Sequence, residues 1–224
     1  MNIPDYLAQT YWWAYVHPAA VRVFERQWLV NAILWGNFAR LRDLALAALG
    51  PDYGGRTLQV ACVYGDLTEK LARRIPAGGA LEVVDVLPVQ LDNLRRKLPA
   101  DVRPALRLAD SSALEAADAS YDRALLFFLL HEQPDEVRRR TLAEALRVVR
   151  PGGKVVVVDY HRPARSHPLR WPMRGILARL EPFALDLWRH GLTEWLPRTG
   201  GFSLSRRTYF GGLYQCAVIR RAGA

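Results

Sequence analysis

The residues Thr57-Leu-Gln-Val-Ala-Cys-Val-Tyr-Gly65 decide the fold. They read as a short apolar strand that breaks at Tyr64-Gly65 and passes into helical spacing at Leu67, Leu71 and Ile75. The same alternation continues outward from there. Ala80 to Val86 is a second strand, followed by a helix marked by Leu91, Leu94 and Leu98. Ala105 to Leu108 is a third strand ending at Asp110. Asp122 to Leu130 is a fourth, apolar on both faces as a central parallel strand should be. A helix starts near Pro134 with Asp135 and Glu136 in its first turn, and Lys154 to Tyr160 is a fifth strand after Pro151-Gly152-Gly153. Strands and helices at this spacing mean right-handed crossovers and a parallel sheet, with ligands bound beyond the carboxyl ends of the strands. Gly200-Gly201 introduces a final pair, Ser203 to Thr208 and Leu213 to Arg220. The expectation is a single domain of 224 residues: a helical cap over 1–49, a cofactor-binding core over 50–161, a helical lid insert over 162–197 and two last strands in 198–224.

Half of the residues are hydrophobic and 24% are charged, which supports a sizeable core and excludes a disordered chain. No apolar run reaches the eighteen or so residues of a membrane-spanning helix, and the N-terminus has no basic region followed by an apolar stretch. Cys62 and Cys216 sit in apolar contexts without Cys-x-x-Cys spacing, so neither a disulfide framework nor a zinc knuckle is indicated. These features point to the cytoplasm. The net charge of +9 comes largely from arginine, which a GC-rich coding sequence also favours. Its placement matters more: Arg162, Arg165, Arg170, Arg174 and Arg179 precede the next acidic residue, Glu181. No helix-turn-helix, zinc-finger or aromatic RNA-binding signature accompanies them, so nucleic acid is not the expected partner. An anionic membrane surface fits better, with the protein peripheral to the inner face of the cytoplasmic membrane.

A nucleotide-type cofactor needs a tight turn after the first strand and a carboxylate about twenty residues on for its ribose hydroxyls. Asp85 lies twenty residues after Gly65, at the end of the second strand. Asp110-Ser111 after the third strand, the fourth strand ending in Leu-Leu-His131, and Arg150-Pro-Gly-Gly-Lys154 fall in register with it. Together these landmarks resemble the class I S-adenosylmethionine-dependent methyltransferase fold over residues 55–220. The resemblance implies an α/β architecture with a seven-stranded, mostly parallel sheet whose last strand is antiparallel.

The turn departs from that pattern. A typical member reads acidic-x-Gly-x-Gly-x-Gly, whereas this chain reads Gln59-Val-Ala-Cys-Val-Tyr-Gly65, so Gln59 replaces the acid and Ala61 and Val63 replace two glycines. With this departure, Val63-Tyr-Gly-Asp-Leu-Thr68, Tyr11-Trp-Trp-Ala-Tyr-Val-His-Pro18, Val84 to Leu91, Phe127 to Gln133, Val158 to Pro163 and Thr208 to Tyr214 look like the rhodoquinone-biosynthesis family. That family is methyltransferase-like and related to the ubiquinone methyltransferases. The resemblance implies conversion of ubiquinone to rhodoquinone, an amino group replacing a ring methoxy, with S-adenosylmethionine as nitrogen donor and manganese assisting. It implies cofactor contacts at Tyr11, Val63, Tyr64, Gly65, Asp85, Val86, Asp110 and Ser111, and chemistry at Tyr64, His131 and Tyr160. Loss of the acid at Gln59, with bulk at Val63 and Tyr64, suits an amino-acid end held differently. Manganese takes oxygen and imidazole ligands. The strand ends offer Asp159 with His161 as the first pair and Glu132 as a further ligand, although each also suits packing, solvation or a turn.

All seven tryptophans lie outside residues 50–160. Tyr11, Trp12, Trp13 and Tyr15 lead into Phe24, Trp28, Leu29, Ile33 and Trp35, and the insert adds Trp171, Met173, Ile176, Leu177, Leu180, Phe183, Leu187 and Trp188. Aromatics beside arginines suit a membrane interface, and the same residues suit an apolar lid over the pocket. Two other readings stay open: a conventional methyltransferase acting on a quinone or small lipid, and a non-enzymatic protein that keeps the fold to present its flanks.

Overall fold

The computed structural model describes residues 3–12, 14, 17–51, 53–199 and 201–223. Trp13 and Tyr15, two of the aromatics expected at the N-terminal flank, lie outside the described residues. Four helices come first: α1 (Asp5–Thr10), α2 (Pro18–Phe24), α3 (Gln27–Ile33) and α4 (Phe38–Ala48). The continuous helical spacing of this region is thus broken into pieces, with Trp35 and Gly36 both at positive φ between α3 and α4. Pro18 starts α2 with its ring already at helical φ, and the His17 imidazole accepts the Ala19 N–H at 3.2 Å.

The core then runs β1 (Arg56–Val60), α5 (Leu67–Ala72), β2 (Ala80–Asp85), α6 (Pro88–Lys97), β3 (Ala105–Leu108), β4 (Tyr121–Phe127), α7 (Asp135–Val148) and β5 (Val149–Tyr160). The insert holds α8 (Arg170–Leu180) and α9 (Ala184–Arg189), and β6 (Phe202–Tyr209) and β7 (Tyr214–Arg221) close the chain. The seven strands form one sheet in the order β3-β2-β1-β4-β5-β7-β6. β1 to β5 pair in parallel, and β7 runs antiparallel to both β5 and β6. The order reverses at β1, so right-handed crossovers put α5 and α6 on one face and α7 on the other.

The central strands are buried because their residues are apolar at consecutive positions: Ala124 to Phe127 and Val155 to Val158 all belong to the core. On α7, Thr141, Leu142, Ala145, Leu146 and Val148 supply the inward stripe, and Asp135 and Glu136 sit where the helix dipole favours acids. The fourth strand is shorter than its apolar run suggests. Phe128 takes φ +52° and the chain coils into a single 3₁₀ turn at Leu130–Glu132, which lifts His131 off the sheet edge.

Candidate active site

The carboxyl ends of β1, β2 and β3 shape a small cavity of ≈ 60 Å³ lined by Asp85, Val86, Asp110 and Ser111, with Tyr6 and Leu7 of α1 over it. Asp85 accepts the Cys62 N–H at 2.7 Å and the Leu87 N–H at 2.9 Å. Burial pushes its carboxyl up to about 6, with those amides opposing the rise. Asp110 accepts the Ser112 N–H at 2.7 Å, and the Ser111 hydroxyl is fixed by Thr141 at 3.0 Å and by the Gln133 amide at 3.0 Å. Carboxylate oxygens with a lone pair to spare after these bonds suit ribose hydroxyls.

The β1 turn is built differently. Ala61 takes φ +75°, a region that ordinarily costs a non-glycine residue 1–3 kcal/mol or so. Gln59 turns inward, and its amide donates to Ala61 O at 3.0 Å and to the Thr68 hydroxyl at 2.9 Å. Gly65 at φ +81° has no room for a side chain, since a Cβ would come within 2.8 Å of the Phe38 ring. Its N–H donates to Glu25 at 2.9 Å. Lys97 Nζ donates to Val63 O at 2.6 Å, to Gly65 O at 2.9 Å and to both oxygens of Glu25 at 2.9 and 3.0 Å. Glu25 also accepts from the Asn93 amide at 2.7 Å. The turn is thereby clamped between the end of α2 and the end of α6.

Beyond it lies an apolar cavity of ≈ 580 Å³, walled by Phe24, Val30 and Leu34 of the cap and by Met173, Leu177 and Leu180 of α8. Phe127, Phe128, His131 and Tyr160 also line it, and Cys62, Phe128 and Glu132 line both cavities, so the two meet there. His131 Nδ1 lies 3.0 Å from Asp159, which also accepts the backbone N–H groups of Leu130 and Tyr160, each at 2.8 Å. Its Nε2 faces Glu132 at 3.7 Å and Glu181 at 3.9 Å. Burial works to lower the His131 pKa, but Asp159, Glu181 and Glu132 outweigh it and push the ring up to about 9. These carboxylates favour the protonated ring. Tyr160 packs edge-on to it with ring centres 5.0 Å apart.

Residues 57–153 match the methyltransferase domain family. The chain is 29% identical over 208 residues to demethylmenaquinone methyltransferase of Renibacterium salmoninarum, covering 82% of this chain and 81% of that protein. It is 27% identical over 177 residues to the ubiquinone/menaquinone biosynthesis C-methyltransferase UbiE of Geobacter sp. (strain M21), covering 77% and 68%. This similarity and the sheet order give the chain the fold of the class I S-adenosylmethionine-dependent methyltransferases. The fold agrees: the N-methyltransferase NodS of Bradyrhizobium japonicum, solved with S-adenosyl-L-homocysteine, superposes with a TM-score of 0.57 at 16% identity over 82% of this chain and 86% of that one.

Asp85, Val86, Asp110 and Ser111 have the chemistry that suits the nucleoside end of S-adenosylmethionine. The Gly65 amide is already taken by Glu25. Val63 and Tyr64 line the apolar cavity instead, and the Tyr64 hydroxyl donates to Ala14 O at 2.8 Å while accepting from Gln90 at 2.9 Å. Tyr11 is buried against Phe183 and Glu181; burial first, then Glu181, raises its pKa well above the usual range.

The expected metal set of Asp159, His161 and Glu132 does not assemble. Asp159 is committed to His131 and to backbone amides, and the His161 ring pairs with Gly212 O at 2.9 Å. Among the described residues no group of three or more His, Cys, Asp or Glu is placed to hold a metal ion, so the site does not fit manganese. Sequence reasoning missed Glu25, Lys97 and Glu181. Glu181 was visible only as the acid that ends the arginine stretch; the other two carried no local signal.

Proposed function

We propose that this protein uses S-adenosylmethionine to modify the ring of an isoprenoid quinone, and that the change is replacement of a methoxy group of ubiquinone by an amino group. The observation that carries this reading is the junction at Cys62, Phe128 and Glu132, where the nucleoside pocket opens toward a large apolar cavity beside the buried His131 ring held by Asp159. The bound cofactor would supply the transferred nitrogen. An amine that adds to a quinone ring pushes negative charge onto a ring carbonyl oxygen. His131 can donate a proton or hydrogen bond to that oxygen, with Asp159 holding the ring in the required orientation. Phe128 and Tyr160 wall the ring site.

The clamped β1 turn supports amino over methyl transfer. With the Gly65 amide and the Val63 and Gly65 carbonyls engaged by Glu25 and Lys97, the turn does not hold the amino-acid end in its ordinary place, and that end is left to swing toward the quinone. A second reading, C-methylation of a quinol ring, is favoured by the relatives, whose names describe that reaction. It needs a base to take a phenolic proton, and Glu181 beside His131 is the candidate. The two readings separate by by-product. Methyl transfer releases one S-adenosylhomocysteine for each quinone converted. Amino transfer would form the ring C–N bond with loss of the methoxy group as methanol; the quinone ring would then take the electron pair from the cofactor's α-carbon, and water would release an aminoquinol and the cofactor's α-keto acid, with no matching S-adenosylhomocysteine. Chromatography of both products in one reaction decides between them, and stoichiometric S-adenosylhomocysteine would overturn the amino reading.

A further inference from the structure

The apolar cavity opens at the surface through residues that are both lining and exposed. Ile33 and Trp35 from the cap and Ile176 and Leu180 from α8 line it, yet are 43%, 42%, 42% and 43% exposed. Trp28, 65% exposed, lies one helical turn before Ala32, another lining residue. Trp171, 69% exposed, begins α8 with the Arg174 guanidinium 5.7 Å from its ring centre. Among the described residues, every large hydrophobic side chain found exposed belongs to the cap or α8 except Leu108. A concentration of this kind marks an interaction surface rather than scattered exposure. The charge beside it has one sign: residues 162–180 carry five arginines and no acid.

We propose that this rim docks on an anionic lipid bilayer, and that a polyisoprenoid tail passes from the bilayer into the cavity between Trp35 and the Ile176–Leu180 edge of α8. The inner row of α8, Met173 and Leu177, is buried against the cavity, while its outer residues and their arginines face outward. One helix therefore serves as lid and as membrane contact. Tryptophan with arginine is the pairing that suits the headgroup level. A second copy of the chain would not use the arginines, since like charges would face each other across a two-fold contact.

The docking half of this proposal stands without the quinone reading; the tail half rests on it. The test is co-sedimentation of the full chain with vesicles of phosphatidylcholine alone or with added phosphatidylglycerol. Binding is expected to the anionic vesicles at low salt and to fade as salt rises, because exposed charges are screened beyond about 10 Å at 0.1 M. At about 1 kcal/mol for each basic residue near the surface, Arg174→Gln with Arg179→Gln should weaken partitioning roughly thirty-fold. Trp28→Ser with Trp171→Ser should weaken it too, while leaving cofactor binding unchanged. In both double variants, turnover of a long-tailed quinone should fall while that of a tail-less analogue holds. No binding at any salt, or a lipid-free dimer that shields the tryptophans from a soluble quencher, would overturn the docking. Vesicle binding by a protein that converts neither quinone would support the docking and overturn the quinone reading.

Discussion

The two ends of the cofactor pocket are made in different ways. The proposed nucleoside end is made by strand ends: Asp85 closes β2 and Asp110-Ser111 follow β3, so the sheet itself places them. The turn after β1 is instead held by side chains from elsewhere, Glu25 from the cap and Lys97 from the last turn of α6. The first end is what any protein of this fold can do with its topology. The second rests on residues far apart in sequence, and a change of chemistry on the same scaffold should be sought there. Fold and reaction are separable, and here they separate across a few ångströms of one pocket.

The sharpest way to break this comparison is at the junction. His131→Gln should leave cofactor affinity intact and cut turnover by roughly 10²–10⁴, the usual contribution of a positioned acid, and steady-state kinetics beside calorimetry would separate the two. A fall in affinity instead would make His131 part of the cofactor seat. Next comes Asp85→Ala, which removes a charged acceptor from the nucleoside end. Charged hydrogen bonds contribute about 1.5–3 kcal/mol, so affinity should weaken about ten-fold or more. Lys97→Met attacks the other end. Freeing the Val63 and Gly65 carbonyls and leaving Glu25 without its cation should lower stability by roughly 1–3 kcal/mol. It should also raise KM for the cofactor, with Lys97→Arg restoring part of both.

Smaller effects sharpen the account. Tyr64→Phe removes the bond to Ala14 O, worth about 1 kcal/mol of stability, with cofactor affinity held within about two-fold. A large loss of turnover would return the hydroxyl to the chemistry. The folded His131 titrates near 9 against about 6.5 for a free imidazole, so its contribution to stability is complete below about pH 6.5 and is lost as pH rises through about 9. Thermal melts should therefore show Tm falling over that window, with a shallower fall in His131→Gln.

Much of this was legible in the sequence. The central parallel strands were visible because each is an apolar run between turn residues, and the carboxylates at their ends inherit that visibility; the antiparallel closure came from the family resemblance. Reading failed where the backbone turns against its composition. Phe128 is as apolar as the strand before it, yet takes φ +52° and ends it. The cap reads as continuous helical spacing, but positive φ at Trp35 and Gly36 divides it. Asp159 and His161 look like a ligand pair two residues apart, yet one is drawn to His131 and the other to Gly212 O. Glu25, Lys97 and Glu181 had no pattern to betray them, because each acts on a part of the chain far from it in sequence. Glu25 and Lys97, for example, are 72 positions apart.

The central claim is that the rebuilt turn frees the amino-acid end of the cofactor to react while Asp85 holds the nucleoside end. One measurement addresses it directly: mass spectrometry of the quinone formed from S-adenosylmethionine carrying nitrogen-15 in its amine and carbon-13 in its methyl group. The account predicts nitrogen-15 on the ring, one methoxy group lost and no carbon-13 gained. Ubiquinone recovered with both methoxy groups and no nitrogen-15, or carbon-13 gained on the ring of a quinol supplied without its ring methyl, would contradict it.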